Sequence, residues 1–406
     1  MTQRQRSSTS MRIAYFSPLP PIPSGIADYS GELLPHLEQK VELTLFVDAP
    51  MAVDRSIQER FQVRSHSDYP KIRSSFDLAL YHMGNNIYHE GIYPIALRFP
   101  GVVVLHDMVL HHFIGAVTFM KGDFSSFVRE LEYSMKFEDQ NPYLAVKTGR
   151  KRVAVFETPL HNRIIDRSLG LIVHSRAAAK SVRSLRPERP LRVIPHLLTQ
   201  HGGTSLRESL GISIETTIFA SLGFINATKQ IGMALKQFAR LLKNGLDVHY
   251  LIVGGVQGDF DLEGLVEQLG LGSAVSIIGY SEDLQTFLNW LETADVVLNL
   301  RYPTTGETSG VVLRAMGAGK PIIVFDHGWY SEIPDEACLK VPPMDEEALF
   351  AAMTRLVLEP TLRGQIGEKA AQTANTRHHP GAIASNYIKF LEDCLSHTRK
   401  RVLNRY

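Results

Sequence analysis

The sequence contains little cysteine and no long apolar run. Its two cysteines, Cys338 and Cys394, lie far apart and form neither a metal-type nor a redox-type spacing, which excludes a disulfide scaffold and fits a reducing compartment. No apolar stretch approaches the roughly 18 residues that a membrane span requires. Lysine and arginine number 43 and aspartate and glutamate 42, so the net charge of +1 gives no sign of a nucleic-acid partner. We therefore expect a cytoplasmic protein.

The first ten residues, MTQRQRSSTS, are polar and basic and lack the apolar centre of a signal peptide. We interpret residues 1–10 as a disordered tail. Peripheral contact with the inner face of a membrane stays open through basic segments such as Lys147–Arg152, although a solvated charged turn is the simpler interpretation of that segment.

Short β-branched runs recur along the 406 residues and are separated by longer helical patterns. Six fall in the first half and six in the second, at residues 12–17, 43–47, 78–82, 102–106, 171–175, 192–196, 217–223, 249–255, 275–280, 295–300, 321–325 and 338–341. Nearly continuous apolar strands that alternate with helices indicate parallel sheets covered on both faces. The two series predict an α/β chain of two doubly wound, Rossmann-like domains that face each other across a cleft.

A polar, glycine-rich segment, residues 197–211, separates the two series and marks the domain boundary. Beyond the second series, apolar residues recur at helical spacing and predict a C-terminal helix with a buried stripe at Ile383, Tyr387, Phe390, Leu391 and Cys394. In doubly wound folds, ligands bind outside the carboxyl ends of the strands, so the loops that follow the strands are the candidate sites.

Two loops in the first half carry polar or small residues directly after a strand. Gly25 lies in a proline-rich loop just before a helix, where the backbone can approach an anion. The segment YHMGNN places His82, Asn85 and Asn86 within five positions, and imidazole and amide groups suit the hydroxyls of a sugar. Simple turn-forming roles for Gly25 and for the asparagines are equally open. No GxGxxG motif follows the first strand, so a dinucleotide site is not supported.

The next strand ends in His106 and Asp107, which we interpret as a polar pair that faces a substrate. His111 and His112 follow shortly, but neighbouring residues of a helix point to different faces. The cluster therefore does not predict a metal site.

In the second half, Gly223 ends a strand and Lys229 lies near the start of the next helix, where its ammonium group suits a phosphate. A solvated surface lysine is the simpler alternative. Arg301 follows the strand at residues 295–300 in the same way.

The segment TTGETSGVVLRAMGAGKP places an acid, Glu307, just before a predicted helix that Thr308 or Ser309 caps. The first backbone amides of this helix, through Gly310, have no partner within the helix and suit a diphosphate. Capping alone would explain the acid, but not the run of small residues around it. No second acid accompanies Glu307 in sequence, so the pattern does not support the paired-carboxylate mechanism of a glycosidase.

Together, the ordered segments SGIADYS, LHD, SLGFINATK, VGG, IIGY, TADVVLNLRYP, GETSGVVLRAMGAGKPII and DHGWYSEIPD resemble the family 4 retaining glycosyltransferases (glycosyl transferases group 1), which have the GT-B fold. The resemblance covers nearly the whole chain beyond Ser10 and is strongest over residues 294–335. It implies an acceptor-side domain at residues 11–200, a nucleotide-sugar donor domain at 201–380, and a C-terminal helix at 381–406 that packs back toward the first domain.

The resemblance also implies roles for individual residues. Three residues would be catalytic: Lys229 would bind the donor diphosphate, Glu307 would hold the donor sugar and His106 would lie at the sugar-binding centre. The other residues assigned to donor binding are Gly25, Gly223, Tyr280, Arg301, Thr308, Ser309, Gly310 and Arg314. Those assigned to the acceptor side are His82, Asn85, Asn86 and Asp107. The sequence departs from the family at Phe224, where an arginine is usual, and at Arg314, where a ribose-binding glutamate is usual.

We therefore expect transfer of a hexosyl group, with retention, from a UDP- or GDP-linked sugar to a hydroxyl of a polysaccharide or glycolipid. The expected partners are a nucleotide sugar and a glycan or glycolipid acceptor. No cofactor and no metal are expected, because Lys229 and the helix amides can stabilise the diphosphate. Two alternatives stay open: a non-catalytic scaffold that binds nucleotide sugars, and a nucleotide-sugar epimerase of the same fold.

Overall fold

The computed structural model describes residues 10–135, 141–200, 202–258, 260–281 and 283–403. Apart from Ser10, the tail predicted at residues 1–10 lies outside this range. The chain divides into two compact units. Unit 1 contains the described residues up to Leu197, the short segment Thr305–Thr308 and the residues from Pro380 onward, whereas unit 2 contains Leu198–Thr304 and Ser309–His379.

The described residues form thirteen strands, seven in unit 1 and six in unit 2. In chain order they are β1 (Arg12–Phe16), β2 (Glu42–Val47), β3 (Gln62–Ser65), β4 (Leu78–Met83), β5 (Val102–Leu105), β6 (Gly170–Val173), β7 (Leu191–Val193), β8 (Thr217–Leu222), β9 (Val248–Val253), β10 (Val275–Ile278), β11 (Val296–Asn299), β12 (Ile322–Phe325) and β13 (Leu339–Val341).

The same residues form sixteen α-helices, with short 3₁₀ turns between some of them. The helices are α1 (Gly25–Leu37), α2 (Arg55–Gln58), α3 (Tyr69–Ile72), α4 (Ile92–Arg98), α5 (His111–Val117), α6 (Phe124–Ser134), α7 (Pro142–Lys147), α8 (Asn162–Arg167), α9 (Arg176–Leu185), α10 (Ile231–Lys243), α11 (Leu262–Gln268), α12 (Leu284–Thr293), α13 (Gly310–Gly317), α14 (Glu346–Leu358), α15 (Pro360–Arg377) and α16 (Pro380–Leu403). Within the described ranges, no helix is long and apolar enough to cross a membrane.

Each unit is built on one parallel sheet whose strand order reverses near its middle. The order is β3-β2-β1-β4-β5-β6-β7 in unit 1 and β10-β9-β8-β11-β12-β13 in unit 2. Both orders follow the doubly wound pattern, in which the loops after the two strands at the reversal diverge and leave a crevice. The reversal lies between β1 and β4 in unit 1 and between β8 and β11 in unit 2. The predicted pair of doubly wound α/β folds is confirmed.

Both faces of each sheet are covered. In β1, Ile13 and Tyr15 join one apolar cluster, whereas Ala14 and Phe16 join the cluster on the opposite face. Successive side chains of a strand point to opposite faces, so a strand covered on both sides needs apolar residues at every position. This requirement explains the unbroken apolar runs in the sequence.

The predicted boundaries differ from the observed ones in a few places. The sequence analysis missed β3, because Gln62–Ser65 lies at the edge of its sheet and carries polar, partly exposed residues. Helix α1 begins at Gly25, where the Ser24 hydroxyl accepts a hydrogen bond from the Ile26 amide at 3.3 Å.

The C-terminal helix α16 completes the core of unit 1. The five residues of its predicted apolar stripe are all buried. The Tyr387 hydroxyl lies 2.7 Å from the hydroxyl of Tyr29 on α1. A Cβ atom placed on Gly170 of β6 would lie 2.6 Å from Cys394 Sγ and 3.1 Å from the Phe390 ring. The close fit between β6 and α16 therefore requires glycine at position 170.

We predict that Gly170→Ala lowers the free energy of unfolding by about 1–3 kcal/mol, because the added methyl group overpacks this contact. Gly115→Ala is the matched control, since a Cβ atom at that position of α5 meets nothing within 4 Å. Alanine at position 115 should leave stability unchanged or raise it by up to about 1 kcal/mol. Urea unfolding followed by circular dichroism measures both variants, and equal stability of the Gly170→Ala variant and the parent would contradict the packing argument.

Candidate functional site

In unit 2, two glycines shape the end of the sheet beside the strand reversal. Gly223 follows β8 with φ +83°, and Gly254 follows β9 with φ +143°. A Cβ atom on Gly254 would lie 2.4 Å from the Gly223 carbonyl oxygen. Only glycine combines these backbone angles with so close an approach. Gly223 is half-buried, and its lack of a side chain leaves the backbone at the carboxyl end of β8 uncovered by a Cβ atom.

Lys229 lies beside this glycine and is only 7% exposed. Its ammonium group donates to the carbonyl oxygen of Leu222, the last residue of β8. A Cβ atom on Gly223 would lie 3.1 Å from Lys229 Nζ. The lysine is thus buried at the carboxyl end of β8, in contrast to the solvated surface position considered as its simpler alternative. A buried cation favours an anionic partner.

The start of α13 also lies close to Gly223. Ser309 is the N-cap residue, because its hydroxyl accepts from the Val312 amide at 3.3 Å. A Cβ atom on Gly223 would lie 3.4 Å from Val311 Cγ2, whereas one on Gly310 would meet nothing within 4 Å. The partial positive charge of the helix start and the Lys229 ammonium therefore flank one glycine. Two phosphate groups carry the charge that such a site complements.

The loops after β8 and β11 are tied together by hydrogen bonds. The Tyr302 amide donates to the Thr228 carbonyl oxygen at 2.7 Å, and Gln230 Nε2 donates to the Tyr302 carbonyl oxygen at 2.7 Å. His327 Nε2 donates to the Arg301 carbonyl oxygen at 2.6 Å. Arg301 is therefore held at the strand reversal, and Arg314, in the last turn of α13, is partly exposed.

An aromatic pair lies next to Gly223. The rings of Phe224 and Tyr280 stack with centroids 5.5 Å apart and planes 13° apart. Phe224 is 36% exposed and Tyr280 is 50% exposed, and a Cβ atom on Gly255 would lie 3.6 Å from Tyr280 Cβ and 3.9 Å from Phe224 Cδ1. The sequence analysis noted Phe224 only as a departure from the family. Its pairing with Tyr280 joins loops after β8 and β10 that are distant in sequence.

In unit 1, three histidines form a hydrogen-bonded chain at the carboxyl ends of β4, β5 and β6. His82 Nδ1 lies 2.9 Å from His106 Nε2, and His106 Nδ1 lies 3.2 Å from His174 Nε2. His174 Nδ1 donates to the Ile194 carbonyl oxygen at 2.8 Å. The ring of Tyr29 packs edge-on against His106, with centroids 4.9 Å apart.

The carbonyl end of this chain determines every proton position in it. Because a carbonyl only accepts, His174 carries its proton on Nδ1, and its Nε2 must accept from His106 Nδ1. His106 Nε2 then accepts from His82 Nδ1. We assign these tautomers from the network, with all three rings neutral. Both ring nitrogens of His106, predicted to be catalytic, thus face other histidines.

Burial lowers the pKa of His106 and the pKa of His82 well below the ordinary value of 6.5, and repulsion by neighbouring histidines lowers both further. The remaining nitrogen of the chain, His82 Nε2, is buried and makes no hydrogen bond within the described residues. Nor do the described residues include any group of three or more histidine, cysteine or acidic side chains that could hold a metal ion.

Asp107 and Glu307 meet across Thr305 in unit 1. The Thr305 hydroxyl lies 2.7 Å from Asp107 Oδ1 and 2.7 Å from Glu307 Oε2. The amides of Met108 and Val109 donate to the Thr305 carbonyl oxygen at 2.6 and 2.9 Å. A second acid therefore accompanies Glu307 in the folded chain, although none lies near it in sequence. Asp107 is about two hundred positions away in sequence, so only the folded chain shows the pair.

The predicted asparagines have partners within unit 1. The Asn85 amide donates to Asp107 Oδ2 at 2.8 Å, and its side chain accepts from the Phe113 amide and donates to His112. Asn86 Oδ1 accepts from the Tyr88 amide at 3.1 Å. These contacts correspond to the turn-forming alternative.

The predicted residues thus fall into two groups. One group lies in unit 1 and comprises Gly25, His82, Asn85, Asn86, His106, Asp107, Glu307 and Thr308. The other lies in unit 2 and comprises Gly223, Lys229, Tyr280, Arg301, Ser309, Gly310 and Arg314.

Comparison with known proteins places this geometry in a family. The model of glycosyl transferases group 1 matches residues 204–373, which include the Gly223, Lys229 and α13 site. This match covers less than half of the chain. The α-D-kanosaminyltransferase of Streptomyces kanamyceticus is 28% identical over 177 residues, or 43% of this chain and 44% of that protein. The lipopolysaccharide core biosynthesis glycosyltransferase LpsD of Rhizobium meliloti is 25% identical over 217 residues, or 53% of this chain and 61% of that protein.

Solved structures of other proteins share the fold of nearly the whole chain. Sucrose-phosphate synthase from Thermosynechococcus elongatus has a TM-score of 0.68 at 16% identity, over 95% of this chain and 100% of that one. HepE from Anabaena, crystallised with UDP-glucose, has a TM-score of 0.65 at 16% identity, over 94% of this chain and 100% of that one. These likenesses show the GT-B fold. By contrast, the chain spans about half the length of the curated relatives that it matches.

We predict that acid weakens unit 1 through its buried histidines. His82, His89 and His106 have pKa values lowered by burial, to about 4 for His89, so the unfolded state binds more protons below pH 6.5. Their contribution to stability is complete above pH 6.5 and is lost as the pH falls below it. Between pH 7.5 and 5.5, each should lower the free energy of unfolding by about 1.4 kcal/mol.

Urea unfolding followed by circular dichroism at the two pH values tests this prediction. His106→Gln should reduce the difference between the two pH values by about 1.4 kcal/mol, whatever its own effect on stability. The fluorescence of Trp290 and Trp329, the two tryptophans, both of them in unit 2, provides an internal reference. An unchanged pH difference in the variant would contradict the assignment of a neutral buried His106.

Proposed function

We propose that this protein transfers a hexosyl group from a nucleoside diphosphate sugar to a hydroxyl group of a glycan or glycolipid, with retained anomeric configuration. The observation that carries this proposal is the position of Gly223, which lies close to both the buried Lys229 ammonium and the first turn of α13 in the region that matches glycosyl transferases group 1. The crystallisation of HepE, which shares the fold, with UDP-glucose supports a nucleotide sugar as the donor.

In this reaction the bond from the anomeric carbon to the diphosphate oxygen breaks, and a bond to the acceptor oxygen forms on the same face of the sugar. The leaving diphosphate gains negative charge and takes the proton of the acceptor hydroxyl. Lys229 and the amides of Ser309 and Gly310 are fixed before the reaction, so they stabilise the developing charge without reorganisation. We therefore propose a transfer that needs no metal, and that continues in the presence of a chelator.

A second function, nucleotide-sugar epimerisation, is favoured by one observation. Asp107 and Glu307 share the Thr305 hydroxyl, and a pair of carboxylates can act as acid and base. Epimerisation would change the donor sugar in the absence of any acceptor. Incubation with UDP-hexoses alone, followed by chromatography of the released sugars, separates this function from transfer.

We predict that Lys229→Ala lowers the rate of transfer at least about tenfold, equivalent to about 1.4 kcal/mol of transition-state stabilisation. Lys243→Ala is the matched control, because that lysine ends α10 and is exposed. A radiolabelled transfer assay with UDP- and GDP-hexoses measures both. An unchanged rate in a correctly folded Lys229→Ala variant would overturn the assignment of the lysine to the diphosphate.

We predict that Glu307→Gln weakens use of the donor sugar by about tenfold or more and changes the affinity for free UDP or GDP by less than about twofold, because the carboxylate is assigned to the sugar. Calorimetry with the nucleotide and kinetics with the nucleotide sugar separate the two effects. Glu392→Gln on the exposed face of α16 is the control. Equal losses in both measurements would reduce Glu307 to a structural role.

A further inference from the structure

A large cavity in unit 1 lies beside the candidate residues Asn85 and Asn86. It has a volume of about 1020 Å³ and lies between the loop after β4, helices α5 and α6, and helix α7 with the loop that follows it. We call it the α5–α7 cavity. Its volume reaches the upper end of the usual range for small-molecule sites, roughly 300–1,000 Å³. A ligand of substantial size therefore fits within this one unit.

The walls of the cavity are largely apolar. The ring of Phe124 lies 5.8 Å from that of Phe119 and 4.9 Å from that of Tyr143, measured between centroids. Phe119 is 55% exposed and Met120 is 78% exposed, although both line the cavity. The exposure of contiguous apolar side chains to water is unfavourable, and a ligand that covers them removes this cost. The walls thus suit a ligand with a long apolar part.

The lining contributed by the described residues carries positive charge. It includes Lys147 and Lys151, and no acidic residue among the described ranges lines it. The Lys147 ammonium lies 5.4 Å from the centroid of the Tyr143 ring, and the Lys151 amide donates to the Ala145 carbonyl oxygen at 2.9 Å. The Lys147 ammonium thus packs on the α7 side of the apolar walls, and the backbone of Lys151 is fixed next to it. A lysine is a point charge that suits a phosphate group.

The cavity also adjoins the carboxylate pair. Asn85 lines it, and the amide of the same residue donates to Asp107, which contacts Thr305 beside Glu307. Asn85 therefore links one wall of the cavity to the carboxylate pair.

We propose that the α5–α7 cavity binds an amphiphile that carries a phosphate or diphosphate group on an apolar chain. The chain lies against the aromatic walls, and Lys147 and Lys151 hold the anion. That this molecule is also the acceptor of the sugar rests on the function proposed above, whereas its binding does not.

Calorimetry on the full chain with dodecyl phosphate, kept below its micelle concentration, tests the proposal. Shortening the chain to decyl phosphate should weaken binding at least threefold, because each buried methylene group strengthens binding up to about fourfold. Inorganic phosphate should not bind measurably at the same concentrations. The Lys147→Ala/Lys151→Ala double variant should bind dodecyl phosphate at least fivefold more weakly, with unchanged affinity for uncharged dodecyl maltoside. Lys180→Ala, on α9, is the exposed lysine control.

A filling variant tests the position of the site. Gly115→Leu on α5 should reduce binding at least tenfold, because Gly115 lines the cavity and a Cβ atom there meets nothing within 4 Å. Gly364→Leu on α15 of unit 2 is the matched control, since its Cβ atom is equally unobstructed. Met120→Glu should also weaken binding, because the added carboxylate repels the phosphate. This change lies at an exposed position, so it replaces Gly115→Leu as the test if that variant fails to fold.

Three results would overturn the proposal. They are binding that does not depend on chain length, binding that survives Gly115→Leu and Met120→Glu, and binding only to phosphatidylglycerol vesicles, which would indicate a membrane-contacting surface. Loss of binding would leave the role of Lys229 in transfer untouched. Conversely, binding of dodecyl phosphate without any sugar transfer would count against the proposed function alone.

Discussion

The reversal of strand order in each parallel sheet is the constraint on which both candidate sites depend. Because crossover connections are right-handed, helices leave the two central strands toward opposite faces, and the loops between them must separate. In unit 1 the reversal lies between β1 and β4, and in unit 2 between β8 and β11. The predicted polar and small residues lie at or near these two points because the topology leaves room there.

The two units differ in the charge of the side chains that they bury at the carboxyl ends of the strands. Unit 1 buries His82, His106 and His174 as a neutral chain that ends on a backbone carbonyl, so no charge needs compensation. Unit 2 buries the charged Lys229 on a carbonyl oxygen beside the start of a helix. The Lys229 ammonium group and the start of α13 both contribute positive potential beside Gly223. The physical difference explains why the site in unit 2 suits a diphosphate, whereas the histidine chain in unit 1 provides shape and hydrogen bonds.

Two departures from the family have a structural counterpart. Phe224 replaces the arginine that is usual in the family. Its ring stacks on Tyr280 and forms a partly exposed aromatic surface next to Gly223. Arg314 lies in the last turn of α13, where a cation is favoured by the helix dipole. Both substitutions therefore fit their local surroundings, and neither disrupts the apolar face of the sheet on which α13 packs.

The sequence by itself determined the fold class, twelve of the thirteen strands, the buried stripe of α16 and the glycine-rich and cationic character of the unit 2 site. These features follow from periodicity and local backbone chemistry, which a sequence displays directly. Only the tertiary structure decided the polar edge strand β3, the Asp107–Thr305–Glu307 contact, the histidine chain and the Phe224–Tyr280 stack. Each joins residues from separate strands or loops, and no local pattern encodes which side chains the parallel sheet brings together at one edge.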